Sequence, residues 1–294
     1  MIRRTALLAG LLLAGSSCAA PGPEITVGSK NFSEQDLLGE IVAQWIERTT
    51  DLRVRRRLHL GGTFICHRAL LAGRIDVYVE YTGTAFTAIL ERTPVSDADS
   101  IFRAVRAEYL ERFGLEWFTP LGFENTFAML VRQSTADSLG LRTLTDAASY
   151  SGGWVAAFGS EFMEREDGFP GLNEAYSLGF RSPPRVMDLG LLYRALASRQ
   201  IDLTAGNSTD GRIEALELAI LEDDLRYFPP YEGATIARRA ALERHPSLRP
   251  ALEALGGAID TDEMRRLNRA VDVEGRDYRD VARDWVERTL AADR

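Results

Sequence analysis

Residues 60–85 read LGGTFICHRALLAGRIDVYVEYTGTA and contain the most informative pattern of the chain. It predicts a helix over 63–72 that stops at Gly73, a buried strand over 75–81, and a turn that opens a second helix. Ligands of open α/β sheets bind at the carboxyl ends of strands, where loops meet helix N-termini. The Tyr-Thr-Gly-Thr turn at 81–84 is therefore either part of a binding site or a plain strand-to-helix turn with Thr as its N-cap.

The same pattern recurs, altered, in the second half of the chain. Arg-Ala-Leu at 68–70 is followed after four residues by Ile-Asp at 75–76, and Arg-Ala-Leu at 194–196 by Ile-Asp at 201–202. Five residues past each Asp stand Tyr81 and Asn207, each before a turn that contains Thr and Gly. The recurrence predicts two lobes of similar βαβ construction that face each other through these loops. A repeat this short supports that interpretation without proving it.

Length and composition narrow the class of protein. A chain of 294 residues is long enough for two domains or one large one. Its 45% hydrophobic and 27% charged residues are ordinary for a globular protein. The net charge is −8, and the one short basic run, Arg-Arg-Arg at 55–57, is interpreted as a solvated strand face. Nucleic acid is therefore not expected as a partner.

The N-terminus predicts export. Residues 1–18 combine a charged start, an apolar run at 6–14 and small residues before Cys18, which is typical of a secretory signal. Cys18 resembles the lipidated cysteine of a bacterial lipoprotein, although Gly15 stands where such signals usually have Leu. The expected location is periplasmic or otherwise extracytoplasmic, with the protein either free or anchored to the membrane through Cys18.

The cysteines and histidines predict neither a disulfide nor a metal site. Without Cys18, Cys66 is the one remaining thiol, and it is predicted to be a small core residue. The adjacent pair Cys66 and His67 lacks the spacing of metal ligands. No cofactor is expected.

Alternation of strands and helices predicts an α/β fold with a hinge and a cleft between lobes. Lobe I is predicted to be 24–125 plus 227–294, and lobe II to be 126–226. Ser33 and Asp36 predict a near capping box at the start of the first helix. The pattern further predicts a helix over 210–221, a strand over 225–231 that crosses back, and a mostly helical remainder from 234, including one helix over 242–255.

No catalytic constellation is present in the sequence, so an enzyme is not expected. None of the three histidines lies beside a suitable Ser and carboxylate, and neither a phosphate loop nor a dinucleotide fingerprint occurs. Aromatic, cationic and hydroxyl groups instead stand at the predicted strand ends and crossings. These are Lys30, Tyr81, Thr84, Phe127 and Tyr231, and Arg165 joins them from the predicted helix region that follows Gly159.

These groups together predict a site for a zwitterion. Aromatic faces attract quaternary ammonium ions, and a Lys with an Arg binds a carboxylate. Taken singly, each aromatic is as readily a core residue and each charge a solvated one.

Four motifs in order then resemble one known family. They are GSKNFSEQ at 28–35, the 60–85 block, STDGRI at 208–213 and LEDDLRYFPPY at 221–231. Together they are similar to the osmoprotectant-binding proteins of ABC importers, the periplasmic or lipid-anchored receptors for glycine betaine, choline and carnitine. The resemblance runs from about residue 25 to the C-terminus. It implies a type II periplasmic binding protein, monomeric, with a membrane permease as partner.

The resemblance also implies a tyrosine cage around a trimethylammonium group. Tyr81 and Tyr231 match cage positions. Phe127, in the ENTF motif with Asn125, stands where the family usually has Tyr, and Asn207 stands where another cage Tyr is common. The cage is therefore expected to be incomplete, which leaves room for a larger betaine such as ergothioneine, carnitine or proline betaine.

The carboxylate of such a ligand is held in the family by groups that this chain retains. The matching residues are Lys30, Thr84 and Arg165. Three alternatives stay open: a receptor for a non-methylated amino acid or another anion, a hydrolase on the same scaffold, and a sensor or adhesin that presents a surface to another protein.

Overall fold

The computed structural model describes residues 23–292, which form two α/β lobes. The strands of this range are β1 (Glu24–Gly28), β2 (Arg53–Arg57), β3 (Val77–Tyr81), β4 (Leu115–Trp117), β5 (Phe127–Arg132), β6 (Ala157–Phe158), β7 (Arg185–Val186), β8 (Thr204–Asn207), β9 (Leu218–Leu221) and β10 (Gly233–Arg238). The helices are α1 (Ser33–Thr49), α2 (Thr63–Leu71), α3 (Thr82–Thr84), α4 (Ala98–Phe113), α5 (Gln133–Leu139), α6 (Leu144–Ala148), α7 (Ser160–Glu164), α8 (Phe169–Tyr176), α9 (Leu189–Ala197), α10 (Arg212–Ala215), α11 (Arg239–Arg244), α12 (Leu248–Glu253), α13 (Thr261–Asp272) and α14 (Tyr278–Ala292).

The first lobe is built on a five-stranded sheet in the order β2-β1-β3-β10-β4. Strands β1, β2 and β3 are parallel, and β10 runs antiparallel to both β3 and β4. All five residues of β3 are buried, as expected for a strand covered on both faces. The carboxyl ends of β1 and β3 therefore lie at one edge of the sheet, where Lys30 follows β1 and Tyr81 is the last residue of β3.

The second lobe is built on an antiparallel sheet in the order β8-β5-β9, beside the parallel pair β6-β7. A bridge between Ala156 and Leu203 joins the two sheets. Phe127, the first residue of β5, pairs with Asn207, the last residue of β8. These two predicted site residues are therefore cross-strand neighbours.

The internal repeat is confirmed by its hydrogen bonds. The amide of Asp76 donates to Thr26 O at 2.7 Å, and that of Asp202 donates to Val155 O at 2.7 Å. Each Asp carboxylate in turn accepts from the amide of the same partner, from Thr26 at 2.9 Å and from Val155 at 3.0 Å. Both lobes thus anchor the repeat to a neighbouring segment in the same way.

The predicted helix over 210–221 is wrong beyond its first turn. Helix α10 ends at Ala215, Glu217 adopts a positive φ of 52°, and Leu218–Leu221 form β9. The apolar run is taken up by pairing with β5 at the sheet edge. The secondary structure of this segment is set by its pairing with β5, which local periodicity does not reveal.

The predicted strand over 225–231 is also wrong, because the second crossing between lobes is an irregular loop. Pro229 and Pro230 have no N–H to donate to a ladder. The amides of Tyr227 and Phe228 donate to the carboxylate of Asp223, at 2.9 and 2.8 Å. The segment is therefore held by a side chain and not by a neighbouring strand.

Two further predictions for the C-terminal part need correction. Residues 234–238 belong to β10 and are not helical, because they fill the place between β3 and β4. The single helix predicted over 242–255 is divided into α11 and α12. His245 precedes Pro246 and has φ −129° and ψ 79°, since the α region is disfavoured before proline.

The predicted capping box at Ser33 does not form. Phe32 is the N-cap of α1 and makes no side-chain cap. The Asp36 carboxylate instead accepts from the Ser29 hydroxyl at 2.6 Å and lies 2.9 Å from Nδ1 of His59. A tertiary contact to the loop after β1 has replaced the local one.

Cys66 is a buried core residue, as predicted, and its thiol lies 3.3 Å from Ser29 O. Burial raises the pKa of the Cys66 thiol to about 12. The predicted signal segment and Cys18 lie outside the described residues. Within residues 23–292, no helix combines the length and the apolar character needed to cross a membrane.

Candidate functional site

A cavity of about 410 Å³ lies between the lobes. All eight residues singled out from the sequence line it. They are Lys30, Tyr81, Thr84, Asn125, Phe127, Arg165, Asn207 and Tyr231. They come from the carboxyl edge of the first sheet, from both crossings between lobes, from the end of α7 and from the end of β8.

Lys30 lies in the loop after β1 and is 4% exposed. Its ammonium pairs with the carboxylate of Glu80, a fully buried residue of β3. Glu80 also accepts from the Tyr78 hydroxyl at 3.0 Å and from the Tyr81 amide at 2.7 Å. Because an ammonium carries three N–H donors, this pairing fixes Lys30 while other donors can still face the cavity.

Arg165 follows α7 and forms a buried pair with Asp167, with Nε 2.8 Å from Oδ1. One of its terminal nitrogens lies 3.4 Å from the Thr84 hydroxyl of the first lobe. Asp167 accepts in addition from Thr87 at 2.6 Å and from the Tyr231 hydroxyl at 2.7 Å. Burial opposes ionisation of Asp167, but Arg165 and these donors outweigh it and hold its pKa below the ordinary value.

Aromatic rings form much of the cavity wall. Phe127 lies edge-on to Tyr231, with ring centroids 5.5 Å apart. Phe32 stacks on Tyr81 at 6.5 Å, and Phe162 packs against Phe127 at 4.8 Å. The motif GSKNF and the segment opening α7 contain Phe32 and Phe162, so both could have been included from the sequence.

The two cations of the site also contact its rings. The Lys30 ammonium lies 5.0 Å from the centroid of Tyr81, and the Arg165 guanidinium lies 5.2 Å from that of Phe127. Aromatic surface and positive charge therefore alternate along the wall. Such a wall can contact both ends of a zwitterion.

Glu34, in the first turn of α1, is a buried partner of two residues that line the cavity, and sequence reasoning missed it. Its carboxylate is 3% exposed and accepts from the Tyr81 hydroxyl at 2.6 Å and from Asn125 Nδ2 at 2.7 Å. Burial raises the pKa of Glu34, and the donors around it oppose that shift. Glu34 lies inside GSKNFSEQ, so the motif contained it, but its distant partners could not be inferred.

A second cluster of polar side chains lines the cavity beside Asn207. The Asn207 amide donates to the Tyr193 hydroxyl at 2.9 Å, and the Arg212 guanidinium lies 4.2 Å from the Tyr193 ring centroid. Arg212 Nε pairs with Asp210 Oδ1 at 2.9 Å. Burial, followed by the nearby Asp210, raises the pKa of Asp272 in the same wall.

The lobes touch at the cavity mouth through Glu161 of α7. Its carboxylate oxygen lies 3.4 Å from the Phe64 amide, in the first turn of α2. A negative charge is favourable at a helix N-terminus. A Cβ on Gly62 would come within 2.1 Å of this carboxylate, so a larger residue there would displace the Glu161 side chain from the contact.

The site is equipped for binding. The cations of three ion pairs, Lys30, Arg165 and Arg212, line it with aromatic rings and hydroxyl groups. Together these groups can recognise a small polar molecule with an apolar cationic end.

Comparison with known proteins identifies the family. A family model described as the substrate-binding domain of an ABC-type glycine betaine transport system matches residues 23–288. The chain belongs to this family. Its members are substrate-binding proteins of ABC importers, which act outside the cytoplasm.

Individual proteins similar to this chain support the family assignment. A carnitine transport binding protein of Listeria monocytogenes (serotype 1/2a, strain 10403S) is 34% identical over 96% of this chain and 96% of its own length. An ergothioneine transport permease and binding protein of Helicobacter pylori (strain G27) is 34% identical over 90% of this chain, which spans 47% of that longer protein.

A solved structure of the family supports the fold. A crystal structure of a glycine betaine/carnitine/choline ABC transporter is 32% identical, superposes with a TM-score of 0.72, and covers 90% of this chain and 98% of its own. The predicted type II, two-lobed fold is confirmed.

Proposed function

We propose that this protein is an importer receptor that binds a quaternary-ammonium zwitterion between its lobes and delivers it to a membrane permease. One observation carries the proposal: aromatic rings from both crossings and two cations line the same cavity. Residues 24–125 with 227–294 would form one moving lobe, and residues 126–226 the other.

The ammonium end would lie against the aromatic rings. Tyr81, Phe127 and Tyr231 all line the cavity, and Phe127 is the most exposed of the three. Each such contact contributes roughly 0.5–2 kcal/mol, depending on how far the cation is desolvated. A cage of three rings would therefore account for a useful part of the affinity.

The carboxylate end would lie near Lys30, Thr84 and Arg165. Both cations are held in place by buried acids, Glu80 and Asp167, so little ordering remains to be done when ligand binds. The Thr84 hydroxyl already accepts from Arg165 and has its own hydrogen to donate.

Asn207, in place of a cage tyrosine, favours a ligand larger than glycine betaine, and the volume of the cavity permits one. A volume of about 410 Å³ lies within the roughly 300–1,000 Å³ of small-molecule sites. Relatives are named for carnitine and for ergothioneine, and both are betaines longer than glycine betaine. We therefore place carnitine, ergothioneine and proline betaine beside glycine betaine as candidates.

Replacing cage tyrosines tests the proposal. Tyr81→Ala and Tyr231→Ala should each weaken binding of a trimethylammonium ligand at least about tenfold in calorimetry, with the fold retained in circular dichroism. Tyr150→Ala is the matched control, because Tyr150 is 42% exposed and lies outside the cavity lining. Wild-type affinity in both cage variants would refute the cage.

A second candidate is a receptor for a choline-type cation without a carboxylate. The observation that favours it is that Lys30 and Arg165 are each already paired with a carboxylate, which lowers their attraction for another. Binding of choline but of no betaine would select this candidate. Competition by non-methylated amino acids would instead indicate a receptor for those ligands.

A further inference from the structure

We propose that Glu34 and Thr209 form a closure contact that couples the cavity wall to the second lobe, so that ligand affinity depends on a residue outside the cavity. Thr209 lies in the loop after β8, two residues past Asn207. The inference rests on the proposed function only for the choice of ligand in one of its two tests.

The two oxygens of the Glu34 carboxylate face different parts of the molecule. Oε1 accepts from Tyr81 and Asn125, which line the cavity. Oε2 accepts from the Thr209 hydroxyl of the second lobe and from Asn268 Nδ2 of α13, the latter at 2.7 Å. One side chain thus links the aromatic wall to the opposite lobe.

The contact between Glu34 and Thr209 is buried, so it can exist only while the two lobes lie together at this point. Glu34, Thr209 and Asn268 are 3%, 1% and 2% exposed. Asn268 also donates to the Thr209 carbonyl at 2.9 Å, so the Thr209 backbone and side chain are both held from the first lobe. A buried carboxylate that loses a donor is destabilised, and separating the lobes removes this donor and admits water.

The same loop carries a cavity residue and the closure contact. Asn207 lines the cavity, whereas Thr209 is not part of its lining. A ligand that draws the loop inward at Asn207 would also seat Thr209 on Glu34. Glu34 is therefore a positioning residue, which fixes Tyr81 through one oxygen and the closed arrangement through the other.

Thr209→Val is the direct test, because it removes the hydroxyl and keeps the shape. Thr204→Val is its matched control: Thr204 is fully buried, and its hydroxyl donates to Ala157 O at 2.7 Å within the second lobe. Two quantities are measured for each variant: the radius of gyration of ligand-free protein by small-angle X-ray scattering, and the affinity for the best-binding betaine by calorimetry.

Thr209→Val should enlarge the radius of gyration and weaken binding about tenfold, the loss expected for one hydrogen bond to a charged group. Thr204→Val should lower stability but leave both the radius of gyration and the ligand affinity at their wild-type values. Thr209→Ser, which keeps the hydroxyl, should also show wild-type values of both. Equal behaviour of the Thr209→Val and Thr204→Val variants in scattering would overturn the inference. If wild-type protein binds no quaternary amine but the scattering difference persists, the proposed ligand fails and the closure contact stands.

Discussion

The α2–β3 unit of the first lobe and the α9–β8 unit of the second share one frame. In each, an aspartate at the same place accepts from a backbone amide of a neighbouring segment and pairs with an arginine: Asp76 with Arg238 at 3.0 Å, Asp202 with Arg132 at 2.6 Å. Each arginine is the last residue of the strand that runs antiparallel to the repeat strand, β10 in the first lobe and β5 in the second. The aspartate anchor and the place of its arginine partner are therefore both preserved.

The units differ where they meet the cavity. Tyr81 ends β3 with its hydroxyl on Glu34, whereas Asn207 ends β8 with its amide on Tyr193. The first lobe thus contributes a large fixed ring, and the second contributes a small polar side chain beside open space. The repeat builds the scaffold twice, and we propose that ligand specificity arises from the positions at which its two copies differ.

Removing the anchors should have the largest effect. Asp76→Ala should lower the free energy of unfolding by about 3 kcal/mol, because it strands a partly buried arginine and a backbone amide. Asp202→Ala should cost less, about 2 kcal/mol, because the Asp202 side chain is 28% exposed against 11% for Asp76. Guanidinium unfolding measures both, and equal losses would contradict the ranking.

His67 and Tyr193 occupy the same place in the two units and should give the lobes different responses to acid. Burial, with a smaller effect of Arg112, lowers the pKa of His67 to about 4. The unfolded chain takes up this proton below pH ~6.5 while the folded form stays neutral, so stability falls as pH drops from 6.5 towards 4.

The expected loss from His67 between pH 7 and pH 5 is about 2 kcal/mol. His67→Leu should remove that part of the pH dependence. Tyr193→Phe should leave it unchanged, because burial raises the pKa of Tyr193 far above this range. Unfolding free energies at the two pH values decide the matter, and an unchanged slope in His67→Leu would contradict it.

Asn207→Tyr sharpens the contrast at the cavity. A ring at this position should raise affinity for glycine betaine about fivefold, within the roughly 0.5–2 kcal/mol of a cation–π contact, and should lower affinity for bulkier betaines. Calorimetry with a small and a large betaine measures the ratio. An unchanged ratio would mean that position 207 does not set ligand size.

The smallest effect concerns the turn after each helix. Gly73 and Arg199 have φ angles of 65° and 63°, a conformation that costs a side-chain-bearing residue roughly 1–2 kcal/mol. Arg199→Gly should stabilise the protein by only about 0.5 kcal/mol, because relief of the left-handed strain is partly offset by the greater conformational freedom that glycine loses on folding. Gly73→Ala should destabilise it, because its Cβ would lie 2.8 Å from Arg238 Nη1. Thermal unfolding tests both signs.

Local patterns predicted the frame well. Helix α2, predicted over 63–72, spans Thr63–Leu71, and the strand predicted over 75–81 is β3, all of whose residues are buried. Hydrophobic patterning reports directly on burial, which explains this agreement. Segment 210–221 was mistaken for a single helix, since pairing with β5 outweighs its local pattern.

The candidate site, like the fold, has a part that the sequence predicts and a part that it does not. The eight residues converge in one cavity. Six of them stand out from the sequence as aromatic, cationic or hydroxyl groups, and the other two, Asn125 and Asn207, come from the motifs of the family resemblance. The pairing of Lys30 with Glu80 and the four donors on Glu34 could not be predicted. Those partners lie 47 to 234 residues apart along the chain.

Calorimetric titration of the wild-type protein is the most direct test of the zwitterion site. The panel is glycine betaine, carnitine, ergothioneine and proline betaine, with unmethylated glycine and proline as controls. We predict saturable binding of at least one methylated compound and none of the controls, with stabilisation of roughly 2.7 kcal/mol at ~100 times the dissociation constant. Binding of the unmethylated controls, or of no compound in the panel, would contradict a quaternary-ammonium zwitterion as the ligand.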